Sequence, residues 1–348
     1  MPLWAVVLSA LLVAVGFSRR HAGDASPQRS GREERGTGRG RSAETPSQIP
    51  ARGWKDILLR VYRSISEDRI LLVAAGVTFY ALLAIFPGIA ALISVDGLFA
   101  DPASVASRLD TIASIAPGGA IDVLRDEITR LASQGRTTLG VSFLVSLVIS
   151  LWTANAGIKA LFDALNIVYD EEEKRSFLKL NAVTLLFTAG VVAFILLSLA
   201  AVVALPVVLN YLPLPDVTAV LIKFGRWPIL FVLVILALQV LYRYGPSRAE
   251  SRWRWVSWGS VVAAILWLGA SILFSWYVAN FGSYNKTYGS LGAIIGFMTW
   301  IWISIIVVLV GAKLNAEMEH QTAHDTTTGR PKPLGARGAR MADTVGAA

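Results

Sequence analysis

Cysteine is absent from the 348 residues. A disulfide framework, a thiolate metal site and a cysteine nucleophile are therefore excluded. Histidine is almost absent as well. His21, His320 and His324 are the only three, and all lie in the tails. The last two stand four apart without a further ligand beside them, so they make no metal site. No glycine-rich phosphate loop of the usual form occurs. Charge is also scarce: Asp, Glu, Lys and Arg together make 16% of the chain, against roughly a quarter in soluble domains. No cofactor is implied by what remains.

What is abundant is apolar. The chain is 54% hydrophobic with a mean hydropathy of +0.56. These residues gather in six runs, at about Ile70–Val95, Leu139–Leu161, Ala182–Leu209, Trp227–Tyr242, Trp255–Asn280 and Leu291–Ala312. Most exceed the roughly 20 residues that cross a ~30 Å hydrocarbon core. Six such runs cannot all be buried core helices of one soluble domain. The fold class is all-α: a polytopic integral membrane protein with a six-helix transmembrane core.

The net charge of +8 does not point to nucleic acid, because the basic residues cluster between the apolar runs. If the core begins and ends inside, the inner segments hold 24 Lys and Arg and the outer segments seven. That asymmetry predicts cytoplasmic ends for the core. Residues 1–18 read as a short N-terminal membrane anchor, followed by Arg19 and Arg20. Residues 19–52 read as a disordered basic linker, 53–319 as the membrane domain and 320–348 as a disordered cytoplasmic tail.

Within 53–69, Trp54, Ile57, Leu58, Val61, Tyr62 and Ile65 recur at helical spacing, with charged residues opposite. This predicts an amphipathic helix lying in the inner interface, the alternative being that it packs on the bundle. Residues 96–138 carry two helical patterns around Pro117-Gly118-Gly119 and predict an external hairpin across one mouth of the bundle.

The second core helix holds the candidate site. Trp152, Asn155, Lys159, Asp163 and Asn166 fall within roughly 80° of arc. Polar groups at membrane depth are expensive and face a polar interior or a partner. The stripe reads either as the wall of an inward-opening cavity or as a helix end emerging at the interface. Lys159 and Asp163 stand one turn apart and could neutralise each other. Thr78 and Tyr80 precede Pro87, an interior proline that predicts a kink. On the outer side, Lys223 and Arg226 with Tyr284 and Tyr288 form a candidate vestibule. Gly292 and Gly296 make a GxxxG pair, the pattern of close helix contact.

Several ordered blocks resemble the YihY/BrkB family of bacterial inner-membrane proteins. They are Ala75 to Pro87; Trp152 to Gly157 with Lys159, Leu165, Asn166 and Tyr169; Tyr242, Tyr244, Gly245 and Pro246; Tyr284 with Tyr288 to Gly292; and Leu309 with Gly311 to Glu317. The resemblance runs from about Trp54 to Glu319. It implies six helices, both core ends inside and a place in the inner membrane. Some members carry the label ribonuclease BN. A metal-dependent nuclease needs convergent carboxylates or His, and no neighbourhood inferred from this sequence supplies them.

The features together predict a transporter or flippase-like protein for an amphiphilic or anionic solute, a lipid included, and not an enzyme. The second expectation is a non-transporting scaffold in envelope assembly. The expected partners are the lipid bilayer and a small-molecule or lipid substrate, with no nucleic acid. No feature specifies an oligomeric state.

Overall fold

The computed structural model describes residues 38–99, 136–199, 201, 216–281 and 290–346. The expected anchor, most of the external hairpin, and Tyr284 and Tyr288 lie outside these residues. Among the described residues the regular structure is helical, with one isolated antiparallel bridge between Ser251 and Thr327.

A helix α1 (Ala51–Glu67) leads into six long helices: α2 (Ile70–Phe99), α3 (Arg136–Val168), α4 (Phe177–Leu199), α5 (Asp216–Tyr244), α6 (Trp253–Phe281) and α7 (Ser290–Gln321). A single turn, α8 (Arg340–Asp343), follows in the tail. Each long helix grows from one apolar run, because in hydrocarbon a backbone must satisfy its own polar groups. Among the described residues, four are long and apolar enough to cross a membrane: α4 over Phe177–Ser198, α5 over Phe224–Tyr244, α6 over Trp253–Val278 and α7 over Ile294–Gln321. In α2 a shorter apolar stretch, Ile70–Ala84, is described in full.

The helices overrun the apolar runs where polar residues find partners. α7 continues past Ala312 to Gln321, carrying Lys313, Asn315 and Glu317 into buried positions. α5 starts at Asp216 and includes Pro228. α2 passes through Pro87 as one continuous helix.

Extensive packing runs in a single file: α4 on α3, α3 on α2, α2 on α7, α7 on α6, α6 on α5. Among the described residues, the buried core sits at one end of the bundle. It takes Ile70, Ala74 and Val77 from the start of α2, Leu165 and Val168 from the end of α3, and Tyr242 from the end of α5. Val256 from the start of α6 and Ala312 and Ala316 from the end of α7 complete it. Two glycines bring α6 and α7 close together. A Cβ on Gly311 would meet Ala263 Cβ at 2.6 Å and Gly259 O at 2.8 Å. Gly296, of the expected GxxxG pair, would meet only the Phe274 ring, at 4.0 Å.

Three segments pack in ways that hydropathy does not report. The buried face of α1 packs on the bundle: Ile57 and Val61 join Trp255, Leu314 and Met318, with Ala43 and Ile49 from the preceding segment. Leu58, Leu59 and Tyr62 stay exposed on its other side. The linker is ordered from residue 38, since a capping box at Thr45 fixes the turn Pro46–Gln48 and seats Ile49 in that cluster. The tail beyond residue 320 is ordered as well. Its order comes from hydrogen bonds, which a hydropathy reading misses. Arg337 donates to the carbonyls of Ala323, His324, Lys332 and Ala342. Asp343 accepts from the backbone N–H groups of Gly335, Arg337 and Gly338.

Candidate functional site

The described residues of the α3 stripe meet different surroundings. Trp152 points away from the bundle and is 76% exposed. Asn155 is buried, and its Oδ1 has no hydrogen-bond partner among the described residues. Two residues on, a Cβ at Gly157 would lie 3.7 Å from the backbone of Tyr80 and Ala81, so α3 and α2 are in close contact there. Thr78 is buried in α2 and donates to its own Ala74 carbonyl at 2.7 Å. Tyr80 is 41% exposed.

Lys159 turns to α4 instead of to Asp163. Its Nζ donates to Asn181 Oδ1 at 2.6 Å and stands 6.0 Å from the Phe177 ring. Asp163 is exposed. Asn166 is buried and bridges: its Oδ1 accepts from the Ser247 N–H at 2.7 Å and its Nδ2 donates to Glu173 at 3.2 Å. On α5, Arg226 rests 5.4 Å from the Trp227 ring. The side chain of Lys223 and that of Pro87 lie outside the described residues.

What the fold does assemble is a polar network at the end of the bundle that holds the core. Arg248 and Glu319 form its centre, with side chains 1% and 0% exposed. Two parallel bonds join them, Nη1 to Oε2 at 2.8 Å and Nη2 to Oε1 at 2.9 Å. Ser251 and Thr326 also donate to this carboxylate, and the guanidinium lies 4.1 Å from the Tyr169 ring centre. Burial disfavours the Arg248 charge, but Glu319 opposite it more than offsets this, and its pKa is raised. The same burial raises the Tyr169 hydroxyl. The pair joins the loop after α5, the end of α7, the residue after α3 and the tail.

Lys313 makes a second junction. Its Nζ forms an ion pair with Asp68 at 2.8 Å and donates to the Val168 carbonyl at 3.2 Å, so α7 is tied to the α1–α2 joint and to the end of α3. Glu317 accepts from Arg60 of α1 at 2.6 Å. Asn315 accepts the Gly259 N–H at 2.8 Å and donates to the Val256 carbonyl at 3.2 Å, which requires the close α6–α7 crossing. Arg175, just before α4, donates to the Tyr244 and Gly245 carbonyls at 3.3 and 2.6 Å. That clamp joins the two ends of the helix file, α4 and α5.

The profile of the family described as virulence factor BrkB matches residues 61–334. The chain belongs to the BrkB family. A relative in Bacillus subtilis, called putative ribonuclease-like protein YfkH, is 30% identical over 251 residues, covering 70% of this chain and 88% of its own. A UPF0761 membrane protein of Haemophilus influenzae is 25% identical over 268 residues, covering 76% of this chain and 96% of its own. Another, of Idiomarina loihiensis, is 30% identical over 184 residues, 53% of this chain and 61% of its own. No solved structure matches the chain.

In this BrkB-family chain the network residues Asn166, Tyr169, Tyr242, Lys313, Asn315 and Glu317 come from the motif blocks, so those blocks hold helix ends together. Arg248 and Glu319 were not singled out in the sequence. Their one signal is position, since both flank a motif block by two residues.

Beside the network opens a cleft of about 570 Å³ lined by Glu67, Asp68, Arg69, Asp170, Glu171 and Arg340, among others. Arg69 and Asp170 both have positive φ, 51° and 56°, a conformation that costs non-glycine residues energy. Arg340 of the tail covers the rim, its Nε 2.8 Å from Asp170 and its N–H 2.6 Å from Glu171. Among the described residues no group of three His, Asp or Glu is placed to hold a metal ion.

Proposed function

We propose that the chain is a six-span protein of the bacterial inner membrane with both core ends in the cytoplasm. We further propose that it transports or flips an amphiphilic or anionic solute, with lipids in that class, and is not an enzyme. The observation that carries this reading is the cluster of polar bonds at one end of the bundle among the described residues. Lys313, Asn166, Arg175 and the Arg248–Glu319 pair all join elements at one end. Farther along, interhelical bonds such as Trp267 to Ser304 and Trp300 to Ser271 join α6 to α7. The four span helices bury only 6–11% of their most apolar windows. A bundle fastened at one end, with span helices that bury little of their apolar windows among the described residues, is suited to alternating access, with the fastened end as the inner gate. Arg175 and Asn166, which bridge to the end of α5, are then the gate's moving bonds.

The test is reconstitution into liposomes with fluorescent phosphatidylglycerol in one leaflet. Wild-type protein is expected to move it between leaflets. Arg175→Ala combined with Asn166→Ala is expected to change the rate severalfold without loss of the fold. Protein that moves neither this lipid nor a panel of anionic solutes would contradict transport.

A scaffold in envelope assembly is the second reading, favoured by Trp152, whose 76% exposure offers an aromatic anchor to a partner helix. Cross-linking through a photoreactive group at Trp152 would then recover one stoichiometric partner, and lipid alone would count against it.

A further inference from the structure

α1 has two faces, and its fold uses one of them. Gly53, Ile57, Val61 and Ser64 are buried, Gly53 against the preceding segment at Arg39 and Ile49. On the opposite side, Arg52, Lys55, Leu58, Leu59, Tyr62, Arg63 and Ser66 are all exposed, within roughly 140° of arc. Where these two faces meet, Trp54 leans on Trp258 of α6 with ring centroids 5.9 Å apart. Trp258 is 45% exposed on the outer side of α6, and Arg254 stands one turn before it, also exposed. The seam between α1 and α6 therefore presents two indole rings with a cation beside each, Lys55 and Arg254.

The exposed charges on this face of α1, with Arg254 on α6, are all basic. Asp56 is engaged by Arg39 at 2.9 Å, and Arg60 by Glu317. Lys55, Arg52, Arg63 and Arg254 have no acidic partner among the described residues. Trp rings favour the boundary between hydrocarbon and water, and a Lys or Arg next to them meets phosphate at that depth. Leu58 and Tyr62, 49% and 47% exposed, extend the apolar edge one and two turns along α1.

We infer that the Trp54–Trp258 seam binds the headgroup and upper acyl chain of an anionic phospholipid, with Lys55 and Arg254 taking the phosphate. This site is separate from the proposed gate and does not depend on transport. The lipid here is a bound structural partner, fastening α1 to α6 at the membrane surface.

The test uses the full chain in phosphatidylcholine nanodiscs with or without phosphatidylglycerol. Native mass spectrometry of the released protein reads retained lipid, and thermal melting reads its effect. Wild type is expected to retain phosphatidylglycerol and to melt higher in its presence. Each basic group near an anionic surface contributes about fivefold in affinity, so Lys55→Gln with Arg254→Gln should lower retention roughly 25-fold. Trp54→Leu should lower it with the charges intact. Arg330→Gln with Lys332→Gln, a change of equal charge in the exposed tail, should leave retention unchanged. Equal loss in the tail variant would mean bulk charge attraction and overturn the site. Equal retention by wild type and the Lys55/Arg254 variant would overturn it as well.

Discussion

Glu319 is a fully buried carboxylate with every acceptor direction used: two bonds from Arg248, one from Ser251 and one from Thr326. Such a pair is costly to halve. Removing one partner leaves the other charged, buried and unpaired, at about 3–5 kcal/mol. Glu319→Ala and Arg248→Ala are each expected to lower stability by that amount, read as thermal melting in detergent. The double variant Arg248→Met with Glu319→Leu should recover most of the loss, because it removes both charges together. Loss in the double variant equal to the sum of the singles would show that the two residues act independently.

The helices themselves were legible, because each apolar run is long and bounded by polar segments. Their ends were less so. Lys313, Asn315 and Glu317 follow the last apolar run and read as interfacial by composition. Their burial depends on partners at Asp68, Gly259 and Arg60, which are far away in sequence and whose positions no periodicity reports. The close α6–α7 crossing was missed for a related reason. Gly292 and Gly296 share one helix and match a pattern, whereas Gly259 and Gly311 lie on two helices and match none. Gly311→Ala would force Ala263 and the Gly259 carbonyl apart and is expected to cost about 1–3 kcal/mol. Gly296→Ala, with nothing closer than 4.0 Å, is expected to stay within roughly 0.5 kcal/mol of wild type. Paired melting curves check both.

The ordered tail has a pH dependence that follows from its own carboxylate. Burial works against the Asp325 charge, but bonds from Thr327 and Lys332 and the nearby Arg337 hold its pKa below the usual value. Glu173 behaves alike: burial raises it, and the bonds from Arg175 and Asn166 bring it below the usual value. A carboxyl with a depressed folded pKa stabilises fully above its unfolded value, roughly 4. That contribution is lost as pH falls through the lower folded value. Hydrogen exchange of residues 322–346, corrected for intrinsic rates, is expected to hold steady from neutral pH to about 4 and to rise below it. Asp325→Asn should remove that acid step.

At the scale of the whole molecule, the proposed function makes one end of the bundle a fastened cytoplasmic gate. Orientation is tested first, and the absence of cysteine makes single-thiol labelling clean. Thr328→Cys, exposed in the tail, is expected to react with an impermeant reagent only after lysis. Ser114→Cys, in the loop expected outside, should react in intact cells. The measurement that reaches the central claim is a reversible lock on the gate. Lys174 stands beside the clamp residue Arg175, and Tyr244 carries the carbonyl that Arg175 bonds. With Lys174→Cys and Tyr244→Cys bridged by a bifunctional, reducible thiol reagent, reconstituted protein should stop moving phosphatidylglycerol between leaflets and resume when the bridge is reduced. Equal movement by bridged and reduced protein would contradict the gate and the transport reading built on it.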